Sequence, residues 1–102
     1  ILPILVLSID LKVSFANRYF YEKFNKLPKD VLNKLIYEVE PLVNIEIKEF
    51  LQHDYLPKKL HEGINITKKF LCNDYKELKI NLTKIYNYEH GADMFMVTLE
   101  PK

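Results

Sequence analysis

Cysteine is nearly missing from this sequence of 102 residues: Cys72 stands alone, which excludes an intrachain disulfide and any zinc site built on paired thiolates. Arginine is as scarce. Arg18 is the single one among 15 basic side chains, so bidentate phosphate or guanine recognition, which needs the planar guanidinium fork, has little to build on. With 14 acidic side chains the net charge is +1, and no polycationic character draws nucleic acid or acidic lipid. The longest apolar run, near ILPILVL, is about a third of the ~20 residues a membrane helix needs, and no basic leader precedes it. A soluble, cytoplasmic chain with no nucleic-acid partner and no direct membrane contact is expected. Glycine occurs only at Gly63 and Gly91, both read as turn punctuation. Internal repeats, linkers, phosphate loops, nucleophilic triads and paired carboxylates at helical spacing are all absent, so no catalytic constellation is expected.

What is present is the composition of one folded domain. Apolar residues make up 48% and charged residues 28%, too apolar for a disordered chain. Beginning at Ile1 rather than Met, the sequence reads as a fragment, residues 1–102 forming a single domain of a larger protein.

ILVLSID (4–10) and KVSFAN (12–17) read as two short strands joined through Asp10-Leu11-Lys12, although Asp-Leu lacks the glycine of the strongest hairpin signal. Asn17 is placed to accept a hydrogen bond from an amide two or three residues on, starting a helix where the strand ends. Phe20, Phe24 and Leu27 then recur at i, i+4, i+7 as its apolar stripe, with Arg18, Glu22 and Lys23 facing water. Pro28 suits a first helical turn, and Val31, Leu32, Leu35, Ile36 and Val39 continue a helical stripe to Pro41. Val43, Ile47, Phe50 and Leu51 favour a further helix, broken or restarted at Pro57; Val43, Ile45 and Ile47 also fit a strand. INITKKFLCN, KELKINLTKIYN and ADMFMVTLE supply three closing strands, a meander, with Met94 to Val97 apolar without interruption as in a central strand.

In this order the chain resembles the PAS domain family, on the stretches ILVLSID, VSFAN, RYFYEKF, LPKDVLNK and LIYEVEP. Asn25 and Asn33 stand where that family often has glycine, and Asn73-Asp74 replaces its usual Asp-Gly. The resemblance implies an α+β fold: a five-stranded antiparallel sheet, spatial order 2-1-5-4-3, with short helices packed on one face. It further implies a candidate ligand pocket between helices and sheet, formed by Phe20, Phe24, Ile36, Tyr37, Ile47, Phe50, Leu51, Phe70, Leu82 and Met96. The other sheet face is expected to meet a second copy or a flanking helix. The expected role is a non-catalytic sensor and dimerisation module of a bacterial two-component system, a sensor histidine kinase, forming a homodimer and relaying a signal to an output domain in the same chain.

No cofactor is expected. A haem alternative rests on His53, because QHDYLPKKL loosely resembles the His-Asp-Gly-Tyr-Leu stretch of haem-binding oxygen sensors of this family; the glycine is missing, and a solvated helix-end histidine is the plainer reading. Cys72 in FLCND falls on an expected strand rather than on the helix that carries the flavin-attaching cysteine, so a packed thiol is favoured. A metabolite ligand or a ligand-free protein-docking role are the remaining rivals. Seven tyrosines are present; Tyr19, Tyr21 and Tyr37 are expected to bury rings and keep their hydroxyls wet or on a carbonyl. The sequons at Asn65 and Asn81 are read as accidental.

Overall fold

In the computed structural model, the described residues are 2–39, 42–54, 65–71, 77–87 and 92–101. Two short strands come first, β1 (Ile4–Leu7) and β2 (Val13–Ala16), followed by helices α1 (Arg18–Phe24) and α2 (Pro28–Val31) and a 3-10 turn at Ile36–Glu38. Helix α3 (Ile45–Glu49) widens into a π-type turn over Phe50–Asp54, and the strands β3 (Asn65–Leu71), β4 (Glu77–Asn87) and β5 (Ala92–Pro101) follow. The strands form one antiparallel sheet in the order β2-β1-β5-β4-β3. The expected sheet is therefore present, and the ends of the sequence meet at its centre.

The period of two decides which side of the sheet is dry. Leu5 lies opposite Val97 and Val97 opposite Leu82, Leu7 lies opposite Phe95, and Leu99 opposite Ile80. All of these are buried, so they form the floor on which the helices rest. One residue along, Val6 opposes Met96 and Phe15 on the other face. A bulge in β2 restores the register: Ala16 and Val13 both point inward, opposite Leu5 and Leu7, while Ser14 is the extra residue and its hydroxyl donates to the Val6 carbonyl at 3.1 Å.

The β1–β2 hairpin closes without glycine. Leu11 N–H donates to the Ser8 carbonyl at 3.0 Å and Ser8 N–H to the Lys12 carbonyl at 2.9 Å, with Leu11 itself left-handed at φ 69°. A left-handed leucine costs about 1–2 kcal/mol; its buried side chain offsets that cost.

Helix α1 starts at Asn17 as the sequence predicts, and Arg18, Glu22 and Lys23 are exposed. Its stripe is shorter than expected. Phe20 is fully buried, Phe24 half-buried, and Leu27 lies beyond the helix at 56% exposure, because Asn25 turns left-handed at φ 55° and ends the helix two residues earlier.

The long second helix expected from Val31 to Val39 is broken. Asp30 accepts from the Leu27 N–H at 3.2 Å and opens α2, but Leu32 is extended and Asn33 left-handed. Backbone groups that a helix would use internally go instead to the sheet: Val13 N–H to Lys34 O, Asn33 N–H to Val13 O and Ile36 N–H to Leu11 O, at 2.8 to 2.9 Å. This stretch closes the outer edge of β2, which would otherwise offer open ladder groups. Helix α3 forms as expected, with Ile47, Phe50 and Leu51 buried and Val43 exposed before it. Pro41, Pro57, Gly63, Asn73-Asp74 and Gly91 lie outside the described residues.

Candidate functional site

Seven of the ten residues assigned to the pocket meet in one apolar cluster. Phe20 comes from α1, Ile36 from the 3-10 turn, Ile47 from α3, Phe50 and Leu51 from the π-type turn, and Phe70 and Leu82 from β3 and β4; all are buried. The Phe50 and Phe70 rings meet edge to face at 5.4 Å, a favourable arrangement of their quadrupoles. Phe24 and Tyr37 are half-buried against the cluster rather than inside it, the Phe24 ring 5.0 Å from that of Phe20.

Met96 is a correction. It is half-buried while Phe95 and Val97 on either side are fully buried, so it faces away from the helices. The four-residue apolar run hid this, but Met96 shares its parity with Thr98 and the exposed Glu100, a signal that would have placed it outward. Phe95 lies in the helix-side cluster instead, and Leu5, Leu7, Val13, Ile80, Val97 and Leu99 complete its floor on the sheet.

The rim is polar. Tyr37 receives a hydrogen bond on its hydroxyl from Gln52 Nε2 at 3.0 Å, and Lys48 Nζ stands 5.2 Å from its ring centre. Lys68 Nζ lies 5.5 Å from the Phe50 ring and 5.6 Å from that of Phe70, which keeps the cation near water while its stem covers apolar surface. Burial pushes the Tyr21 phenol above its usual value of 10.0; its ring meets Phe20 at 5.9 Å. Away from the cluster, the Ser8 hydroxyl donates to Asp10 and holds that carboxyl below its ordinary range.

Among the described residues no polar or charged side chain is buried, so the cluster supplies shape and apolar surface without directed polar groups. Nor do the described residues bring together three or more His, Cys, Asp or Glu side chains for a metal. The side chain of His53, and Cys72, His61 and His90, lie outside the described residues. Among those residues no helix is long and apolar enough to cross a membrane.

The second face is as distinctive. Ile4, Val6, Phe15, Ile85 and Met96 share the side of the sheet away from the helices, by the pairings Ile4 with Thr98, Val6 with Met96 and Phe15, and Thr83 with Met96. Phe15 is 53% exposed. Towards β3 and β4 this face turns charged, with Lys79 3.6 Å from Glu100 and Lys69 3.4 Å from Glu77.

No protein-family profile matches the chain, and no curated protein matches it in sequence. Solved structures do resemble it. The PAS domain of BvgS from Bordetella pertussis superposes with a TM-score of 0.72 at 16% identity, over 99% of this chain and 76% of that one. The chain has the PAS fold. The PAS domain of the histidine kinase ThkA gives 0.64 at 13% identity over 98% of this chain and 99% of its own. The PAS-B domain of Drosophila melanogaster Cycle, with bound ethylene glycol, gives 0.60 at 17% over 98% and 99%. Two departures from the PAS sequence pattern prove geometrically neutral here: Asn25 and Asn33, where glycine is common, both take the left-handed conformation glycine would take, which asparagine tolerates better than other side chains.

Proposed function

We propose that this PAS fold is a non-catalytic sensor and dimerisation module of a cytoplasmic bacterial signalling protein, a sensor histidine kinase, passing a change in interior packing to an output domain in the same polypeptide. The observation that carries the reading is the two-sided sheet. One face is sealed by helices over an apolar cluster, and the other presents the Ile4, Val6, Phe15, Ile85, Met96 row to whatever lies against it. A second copy suits that row: the adjoining lysines are neutralised by Glu77 and Glu100, and a net charge of +1 sets up little repulsion between copies. The histidine-kinase context draws support from the likeness to ThkA.

Sedimentation from micromolar to millimolar concentration tests the association. A dimer that Met96→Glu or Phe15→Asp returns to monomer, with a melting curve unchanged at concentrations where the parent is also monomeric, supports the reading. A strict monomer throughout overturns it. The output assignment is tested by the full-length reading frame, where the absence of a kinase module overturns the kinase context.

A second reading, a pocket for a small apolar ligand, draws on the cluster's lack of buried polar side chains among the described residues. Purified protein that is colourless and releases no small molecule on denaturation, by mass spectrometry, removes it together with the haem alternative at His53.

A further inference from the structure

Asn17 does more than begin a helix. Its Oδ1 accepts from the Phe20 N–H at 3.0 Å, which is the cap, and also from the Ile4 N–H at 2.9 Å. Its Nδ2 donates to the Leu2 carbonyl at 3.1 Å, and its own N–H donates to the Ile4 carbonyl at 3.0 Å. With two donors on one atom of the amide and a carbonyl on the other, the orientation of the group is fixed. Capping alone needs only an acceptor, which Asp or Ser supplies equally well. The bonds to Leu2 and Ile4 have no part in starting a helix. They join the first turn of α1 to the segment that leads into β1, which is itself held at the centre of the sheet by Leu99 N–H donating to the Pro3 carbonyl at 3.0 Å.

Three residues beyond Asn17, the Phe20 ring is fully buried in the helix-side cluster. The Asn17 amide therefore ties the helix that carries Phe20 to the backbone of residues 2–4, beside the backbone bond from Asn17 N–H to the Ile4 carbonyl. We propose that Asn17 is a positioning residue that makes α1 and the lead-in to β1 move together, so that a change in how Phe20 packs shifts residues 2–4 on the sheet. The proposal takes its purpose from the sensor reading above, but its test needs neither ligand nor second copy. Asn44 offers an internal comparison: its Oδ1 caps α3 while its Nδ2 holds the Leu71 carbonyl at 3.0 Å, on the far margin of the sheet.

Amide hydrogen exchange in the 102-residue chain tests this. Asn17→Asp keeps an acceptor for the Phe20 and Ile4 N–H groups and removes only the donor to the Leu2 carbonyl. With the Leu2 tie gone the lead-in opens from residue 2, and the Leu99 amide, which donates to the Pro3 carbonyl, and the Ile4 amide behind it are expected to exchange up to about tenfold faster through that opening, the scale of one lost hydrogen bond, with the amides of α1 unchanged. Asn17→Ser, which keeps the cap on a side chain too short to reach Leu2, carries the same expectation if the first variant folds poorly. Asn44→Asp should leave Ile4 and Leu99 alone. Phe20→Leu should speed Ile4 exchange in the parent chain and have a smaller effect in the Asn17→Asp background, where the Leu2 tie is gone. Unchanged exchange at Ile4 and Leu99 in Asn17→Asp and Asn17→Ser, or an equal effect of Phe20→Leu in both backgrounds, overturns the proposal. A monomer in sedimentation with this coupling intact would remove the dimer reading alone.

Discussion

Met96 and Val97 are neighbours in sequence and lie on opposite faces of the same central strand. Val97 is fully buried between Leu5 and Leu82, while Met96 is half-buried between Val6 and Thr83. The two positions separate folding from association, since one touches the helix-side cluster and the other the face proposed for a second copy. Val97→Ala should cost about 1.5–3 kcal/mol in urea melts, from lost burial and the cavity left behind. Met96→Ala should cost under about 1 kcal/mol and show its effect as a weaker dimer in sedimentation. A large loss of stability at Met96 would mean that its side chain belongs to the interior.

The two phenylalanines of α1 should differ in the same way. Phe20→Ala removes a fully buried ring and is expected to cost about 3–5 kcal/mol. Phe24, half-buried against it, should cost roughly half as much when cut to Ala. Denaturant midpoints at constant slope provide the comparison. Equal costs would place Phe24 deeper than its exposure allows.

Left-handed backbone gives a prediction free of packing. Asn33 is exposed with φ 65°, so Asn33→Ala should destabilise by about 1 kcal/mol and Asn33→Gly should be close to neutral. Leu11 is the contrasting case: Leu11→Gly relieves the same strain and loses a buried side chain, and a net loss of about 1 kcal/mol is expected. Thermal melts of the three variants decide whether conformation or burial governs each turn.

Tyr21 gives a prediction at alkaline pH. Burial raises its folded-state value above the 10.0 of the exposed phenol, so the unfolded chain ionises first. The associated stability is fully present below pH 10.0 and is lost as pH rises through the folded value. Tyr21→Phe should flatten that part of the stability profile between pH 9 and 11, the range around an ordinary tyrosine value of about 10. An unchanged profile would show that the phenol is hydrated in the folded chain.

Local signals read well where one residue type has one physical use. Asn17 was legible as a helix start because its amide can replace a missing helical acceptor, and the five strands were legible from their β-rich composition and the turns between them. The break at Asn33 was not. The apolar stripe from Val31 to Val39 fits a helix as far as spacing goes, and the deciding partners, Val13 and Leu11, are some twenty residues away in the chain. Met96 was misplaced because a run with no polar residue carries no parity of its own.

What the sequence determined alone is the set of elements and the chemistry they lack: short-range capping, alternation and composition act within a few residues and need no knowledge of the rest. Tertiary structure decided which side of each strand is dry, where α2 stops, and that one amide at Asn17 is shared between a helix and the lead-in to the first strand. Those outcomes depend on backbone groups distant in the chain competing for the same donors and acceptors, and only the assembled sheet settles that competition.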